Sequence, residues 1–182
     1  MKKVIILDPG HGLSNKRAGA FDPGAVSNGV RESDVAMAWC NELRSILLLA
    51  GHKVVRTRTH DADPAPVGKR ANIAKEYGGD IMLSIHCNAA NGDANGTETF
   101  YRGLDNKTKA EQITLGVCNA LGTRNRGAKT ESQSQHTRLA VMSFQPCFLL
   151  EIGFIDNSAD RARMLDPTLR YLACAEIAKV IS

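Results

Sequence analysis

Apolar positions change their period several times along the chain, and each change marks an element. Val4–Leu7 is an unbroken apolar run, short enough for a strand buried on both faces. Residues 8–31 are rich in glycine, with two prolines and few apolar positions, so they predict a long loop of the kind that carries function. Over 32–50, Val35, Trp39, Leu43, Ile46, Leu47 and Ala50 recur at helical spacing, and Gly51 supplies the C-terminal stop. Residues 53–58 predict a second strand and 66–77 a second helix. Strands at 81–85 and 97–101 follow, then a helix at 105–121 with Ile113, Val117, Ala120 and Leu121 as its stripe. A polar loop fills 122–138. Strands at 139–142 and 147–150 and helices at 158–166 and 168–180 complete the series.

Strands alternating with helices predict an α/β single domain: a mostly parallel twisted sheet of about six strands with helices on both faces. Sheets of this kind place their sites beyond the carboxyl ends of the strands.

Composition adds bounds. The chain has 182 residues, 43% hydrophobic and 23% charged, enough for one well-buried core and ordinary for a globular protein. A net charge of +4 favours an anionic partner. With 5% aromatics and no recognisable nucleic-acid signature, nucleic acid is not expected to be that partner. Cys40, Cys87, Cys118, Cys147 and Cys174 are odd in number and form no C-x-x-C pair, which argues against a disulfide framework. The apolar run after Met1-Lys2-Lys3 is too short for a secretory signal, and no stretch has the length of a membrane span. The expectation is a monomer made in the cytoplasm without a signal peptide.

Three strand ends carry unusual residues: Asp8-Pro9-Gly10-His11-Gly12, Ser84-Ile85-His86-Cys87-Asn88, and Leu150-Glu151-Ile152-Gly153-Phe154. If those strands are parallel neighbours, His11, His86 and Glu151 meet at one sheet edge. Two imidazoles and a carboxylate are a common hydrolytic zinc set, with a position left for water. Taken singly, a histidine at a strand end is more often a structural hydrogen-bonding residue, and Glu32 in a first helical turn more often serves the helix dipole. Glu151 is harder to explain away, because a carboxylate inside Leu149-Leu150-Glu151-Ile152 is costly to bury without a partner.

The ordered series Asp8-Pro9-Gly10-His11-Gly12, Asp22-Pro23-Gly24-Ala25, Glu32-Ser33-Asp34, Thr57-Arg58, Arg70-Ala71-Asn72, Ser84–Ala89 and Glu151–Asn157 resembles the zinc-dependent N-acetylmuramoyl-L-alanine amidases of the type 3 group. The likeness covers nearly the whole chain and implies one catalytic domain, 1–182. It implies that His11, Glu32 and His86 hold Zn2+ and that Glu151 is the catalytic carboxylate. It thereby reverses the ranking of the two glutamates that strand ends alone give. The implied substrate is peptidoglycan, cut between N-acetylmuramic acid and L-alanine. Such a metal lowers the pKa of water toward ~7 and polarises the carbonyl, while the carboxylate moves a proton to the leaving nitrogen.

Around this set, Asp8 is either an orienting partner for a ligand imidazole or a turn former before Pro9. Asn88 shares the strand face of His86, and Cys87 points the other way, into the core. Arg58 and Arg70 are expected as structural charge partners, and His52, His60 and His136 as solvated residues. Arg124, Arg126, Lys129 and Arg138 are either a solvated face or a contact to the anionic wall. The short segment 89–98 leaves no room for the inhibitory helix that some cell-division members insert there. A phage or prophage endolysin acting on the wall after release is the expected setting. The alternatives are a wall-remodelling amidase domain, a zinc carboxypeptidase or aminopeptidase, and a non-catalytic wall-binding module.

Overall fold

A computed structural model describes residues 1–182. Its centre is a six-stranded sheet: β1 (Val4–Pro9), β2 (Lys53–Arg56), β3 (Ile81–Asn88), β4 (Thr97–Tyr101), β5 (Asn125–Thr130) and β6 (Cys147–Phe154). The spatial order is β2-β1-β3-β6-β4-β5. β1 is parallel to both β2 and β3, and β3 is parallel to β6; β4 runs antiparallel to β6 and parallel to β5.

The unbroken apolar run of β1 has a direct cause. Ile5 and Leu7 point into the larger core beneath α1 (Glu32–Leu49) and α5 (Pro167–Ile181), while Ile6 points into a smaller core with Ala71, Ala74 and Met82. Both faces of the strand are dry, so no polar alternation survives. α1 buries Val35, Ala36, Trp39, Cys40, Leu43 and Leu47 along one stripe. The indole of Trp39 is buried with them and donates to the Met164 carbonyl at 3.0 Å, which satisfies its polar end. α3 (Lys107–Leu121) and α4 (Ser158–Leu165) lie with α1 and α5 on that side, and α2 (Arg70–Glu76) packs on the other.

Asp166 and Asn157 cap α5 and α4, each accepting two backbone N–H groups of the first turn. All five cysteines are buried free thiols. No helix is long and apolar enough to cross a membrane.

Two expectations fail in instructive ways. The apolar run at 139–142 is not a strand; residues Ala140–Ser143 form a 3-10 turn whose Val141 and Met142 plug the smaller core. The sixth strand is instead β5, inside the segment expected as loop. β3 and β6 also run further than expected, so His86 and Glu151 lie within their strands and are directly paired in register.

Beneath the loop 8–31 sits a buried charge network. Asp8 accepts from Thr57, from Ser84 and from Arg70 (2.7 Å). Its burial opposes ionisation, but the Arg70 guanidinium and the two hydroxyls more than offset this and hold its pKa below the ordinary value. Asp8 touches no imidazole, so it is neither of the things expected of it; it anchors Arg70. Arg70 also donates to the carbonyls of Pro9, His11 and Ala65. Arg58 donates to those of Pro9, Gly10 and Ser33. Both arginines are thus structural partners, and what they hold is the backbone leaving β1. Arg70→Met strands the buried Asp8 carboxylate and is expected to lower stability by about 3–5 kcal/mol. Denaturant unfolding reads this directly as a lower midpoint at unchanged slope.

Candidate metal centre

The carboxyl ends of β1 and β3 and the start of α1 converge. His11 follows β1 with φ at +61°, a conformation that a non-glycine residue keeps only when its surroundings enforce it. Here the enforcing contacts are the arginine bonds to the carbonyls on either side. Glu32 opens α1, its backbone N–H tied to the Ala25 carbonyl at 2.9 Å. Its Oε1 lies 2.9 Å from His11 Nε2 and 2.9 Å from His86 Nδ1. It also accepts from the Cys87 N–H, and Oε2 accepts from the Ala25 N–H.

One donor atom from each of His11, Glu32 and His86 lies within 4.8 Å of the others, and the two rings meet edge to face at 5.0 Å. These three residues could hold a metal ion. Glu32 is nearly fully buried, which works against its charge, but the two histidines outweigh that and keep its pKa well below the carboxylate range.

Two glycines make the arrangement possible. A Cβ on Gly10 would overlap the His86 ring. A Cβ on Gly24, whose φ is +69°, would lie 2.5 Å from Glu32 Oε2 and 2.7 Å from His11 Cδ2.

The orienting partner sought in Asp8 is Asp22. Its Oδ2 lies 3.1 Å from His11 Nδ1 and accepts from Asn15 Nδ2 at 2.7 Å, while Oδ1 accepts from the Gly24 N–H. Burial again opposes the charge, and these bonds reverse it, so its pKa is depressed. Asp22 therefore fixes which nitrogen His11 presents. It stood inside a matched sequence motif, yet nothing local gave it this role.

Glu151 stands beside this group and outside it. The residue is half-buried, yet its Oε2 is shut off from solvent and has no hydrogen-bond partner. Burial, and then the carboxylates of Glu32 and Glu98, push its pKa well up. All four residues line one cleft of about 780 Å³. Asn88 lines the same cleft, and Cys87 is buried against Met164.

Of the other three histidines, one differs from expectation. His52 is buried, its Nδ1 accepting from the Lys3 N–H, whereas a surface position was expected. His60 is exposed and pairs with Asp63 at 2.9 Å. His136 is exposed on the cleft wall.

A family model described as N-acetylmuramoyl-L-alanine amidase matches residues 5–182. The N-acetylmuramoyl-L-alanine amidase LytC of Bacillus subtilis is 32% identical over 89% of this chain and 31% of its own length. A sporulation-specific N-acetylmuramoyl-L-alanine amidase of the same organism is 33% identical over 88% of this chain and 59% of its own length. The chain thus spans about a third to three fifths of these relatives. Among solved structures, the catalytic domain of CwlV, an N-acetylmuramoyl-L-alanine amidase from Bacillus (Paenibacillus) polymyxa var. colistinus, superimposes with a TM-score of 0.84 at 28% identity, covering 100% of this chain and 96% of that one.

Proposed function

The chain belongs to the N-acetylmuramoyl-L-alanine amidase family, and on that premise we propose that residues 1–182 are a catalytic domain that hydrolyses the amide between N-acetylmuramic acid and L-alanine in peptidoglycan. In this reading His11, Glu32 and His86 hold Zn2+ and Glu151 moves the proton. The observation that carries it is the meeting of two imidazole nitrogens and a carboxylate oxygen in the lining of a cleft, beside a second carboxylate with an orphaned oxygen.

The residues fit the metal. Their donor set is the nitrogen-and-oxygen mixture that a hydrolytic zinc site uses. Glu32 Oε1 lies 2.9 Å from a ring nitrogen of each histidine, so all three donor atoms are close enough together for one cation to take them as ligands. When bound, zinc would supply a Lewis acid that polarises the scissile carbonyl and makes water acidic enough to attack at neutral pH.

The chain's own part is proton management. Glu151 takes a proton from the attacking water as the new C–O bond forms. It delivers that proton to the amide nitrogen as the C–N bond breaks, so the amine leaves neutral. Its buried, partnerless Oε2 suits this, since no protein group holds that oxygen in a competing hydrogen bond. Asp22 holds the His11 ring so that Nε2 faces Glu32. Asp22→Ala is expected to weaken zinc binding roughly 10–100-fold with the fold intact. Equilibrium dialysis beside far-UV circular dichroism checks both halves of that statement.

Digestion of purified sacculi tests the reaction. An amidase releases intact stem peptides with a free L-alanine amino end; a carboxypeptidase or aminopeptidase releases shortened ones. We further propose that the setting is wall lysis by an endolysin. The support is an open cleft, since β3 passes to β4 through residues 89–96 without an intervening helix to cover it. Expression in the host with and without a membrane-permeabilising partner separates this from wall remodelling: lysis only with the partner is the expected result.

A further inference from the structure

The cleft walls differ in charge. β5 and the loop after it bring Arg126, Lys129 and Arg138 to one wall. The carboxylate that pairs with the first two is Glu98, 4% exposed, whose Oε2 lies 2.7 Å from Arg126 Nε and 2.5 Å from Lys129 Nζ, while Glu151, opposite it on β6, lines the same cleft without an ion pair. Glu98 Oε1 accepts from Asn88 Nδ2 at 3.1 Å, and Arg126 lies over the Phe154 ring at 4.8 Å. The two cations are thus held in place, but one carboxylate cannot neutralise both. Arg138 adds another positive charge and makes no ion pair of its own; the nearby Glu131 is taken by Arg102 at 2.5 Å. At the opposite end of the cleft stand Asn15, Val67 and Lys16, the last being mostly exposed and 3.5 Å from Asp22.

The proposed substrate is asymmetric in the matching sense. On the glycan side of the scissile amide the muramic acid is uncharged, because its lactyl carboxyl is consumed in the bond. The peptide side carries free carboxylates, the first being the α-carboxylate of the D-glutamate that follows L-alanine and is joined through its side chain.

We propose that Arg126, Lys129 and Arg138 form a carboxylate subsite for the stem peptide. The peptide arm then crosses β5 and the glycan arm leaves past Asn15 and Val67. This rests on the amidase reading and adds to it the direction in which the substrate lies. Glu98 is the shared counterion that holds two mutually repelling cationic heads side by side while leaving surplus charge for the ligand. Charge-assisted bonds of this kind discriminate by about tenfold or more between a carboxylate and its uncharged amide.

The test uses the zinc-loaded protein and two synthetic muramoyl peptides that differ only in whether this α-carboxyl is free or amidated. The free acid is expected to have a KM lower by roughly tenfold at similar kcat, with the advantage shrinking as salt rises. Arg138→Gln, at an exposed position, and the pair Arg138→Gln with Lys129→Gln should erode that preference stepwise, read as the ratio of kcat/KM for the two peptides. Equal kcat/KM for the two peptides in the wild type overturns the subsite. So does a variant that slows both peptides alike.

If neither peptide is cleaved, the amidase reading itself fails. Titration of the same pair onto Glu151→Gln then still tells whether the wall selects the carboxylate.

Discussion

Replacing Glu151 with alanine is expected to lower amide hydrolysis roughly 10²–10⁴-fold, the range over which a positioned proton-transfer group acts. The fold and the metal should survive. Glu151 Oε2 makes no hydrogen bond, so truncation leaves no partner stranded. The side chain also stands outside the group whose donor atoms approach within 4.8 Å. Initial rates on soluble muropeptide, with thermal unfolding of the same samples, decide it. A fall in rate with an unchanged transition fits the proposal; a normal rate removes Glu151 from the mechanism.

Glu32→Ala is expected to act differently and more broadly. It deletes a proposed zinc ligand and also the acceptor shared by His11, His86 and the Cys87 and Ala25 N–H groups. Two imidazoles are left facing a void without the carboxylate that aligned them. Zinc affinity should fall by more than the roughly 10–100-fold typical of losing an outer-sphere partner. Activity should fall with it and return in part at high zinc. Activity that is lost while affinity stays at the wild-type level contradicts the assignment.

How far these features were legible depended on whether their signal is local. β1, β3 and β6 could be found because buried parallel strands write their burial as continuous apolar runs. Their adjacency then brought His11, His86 and Glu151 to one edge. β5 could not be found that way. Asn125-Arg126-Gly127-Ala128-Lys129-Thr130 is an edge strand paired only with β4, has no apolar alternation, and passes through a positive φ at Gly127. The run Leu139-Ala140-Val141-Met142 misled for the opposite reason. A short apolar stretch records that it is buried, not how it is coiled, and here it plugs the smaller core as a 3-10 turn.

At the site, the difference between the two glutamates lies in tertiary geometry. Glu32 reaches the histidines only because residues 12–31 fold into two small hairpins, Gly12–Leu13 with Phe21–Asp22 and Val26–Ser27 with Val30–Arg31. Those hairpins turn the start of α1 over the sheet edge. No periodicity encodes that path, so strand ends alone favoured Glu151, and the family likeness favoured Glu32. Asp22 was hidden for the same cause, since its partner His11 stands just before the opposite strand of the first hairpin, where Gly12 pairs with Asp22. His52 and the Arg58/Arg70 pair show the complementary case: polar side chains that look like surface or charge decoration are buried because backbone groups await them.

The division of labour between the two carboxylates is the central claim, and one measurement addresses it most directly. Zinc content per chain is measured by elemental analysis after dialysis, for wild type, Glu151→Ala and Glu32→Ala side by side. The account predicts wild-type zinc in Glu151→Ala and little or none in Glu32→Ala. Zinc lost from Glu151→Ala but retained by Glu32→Ala would contradict it.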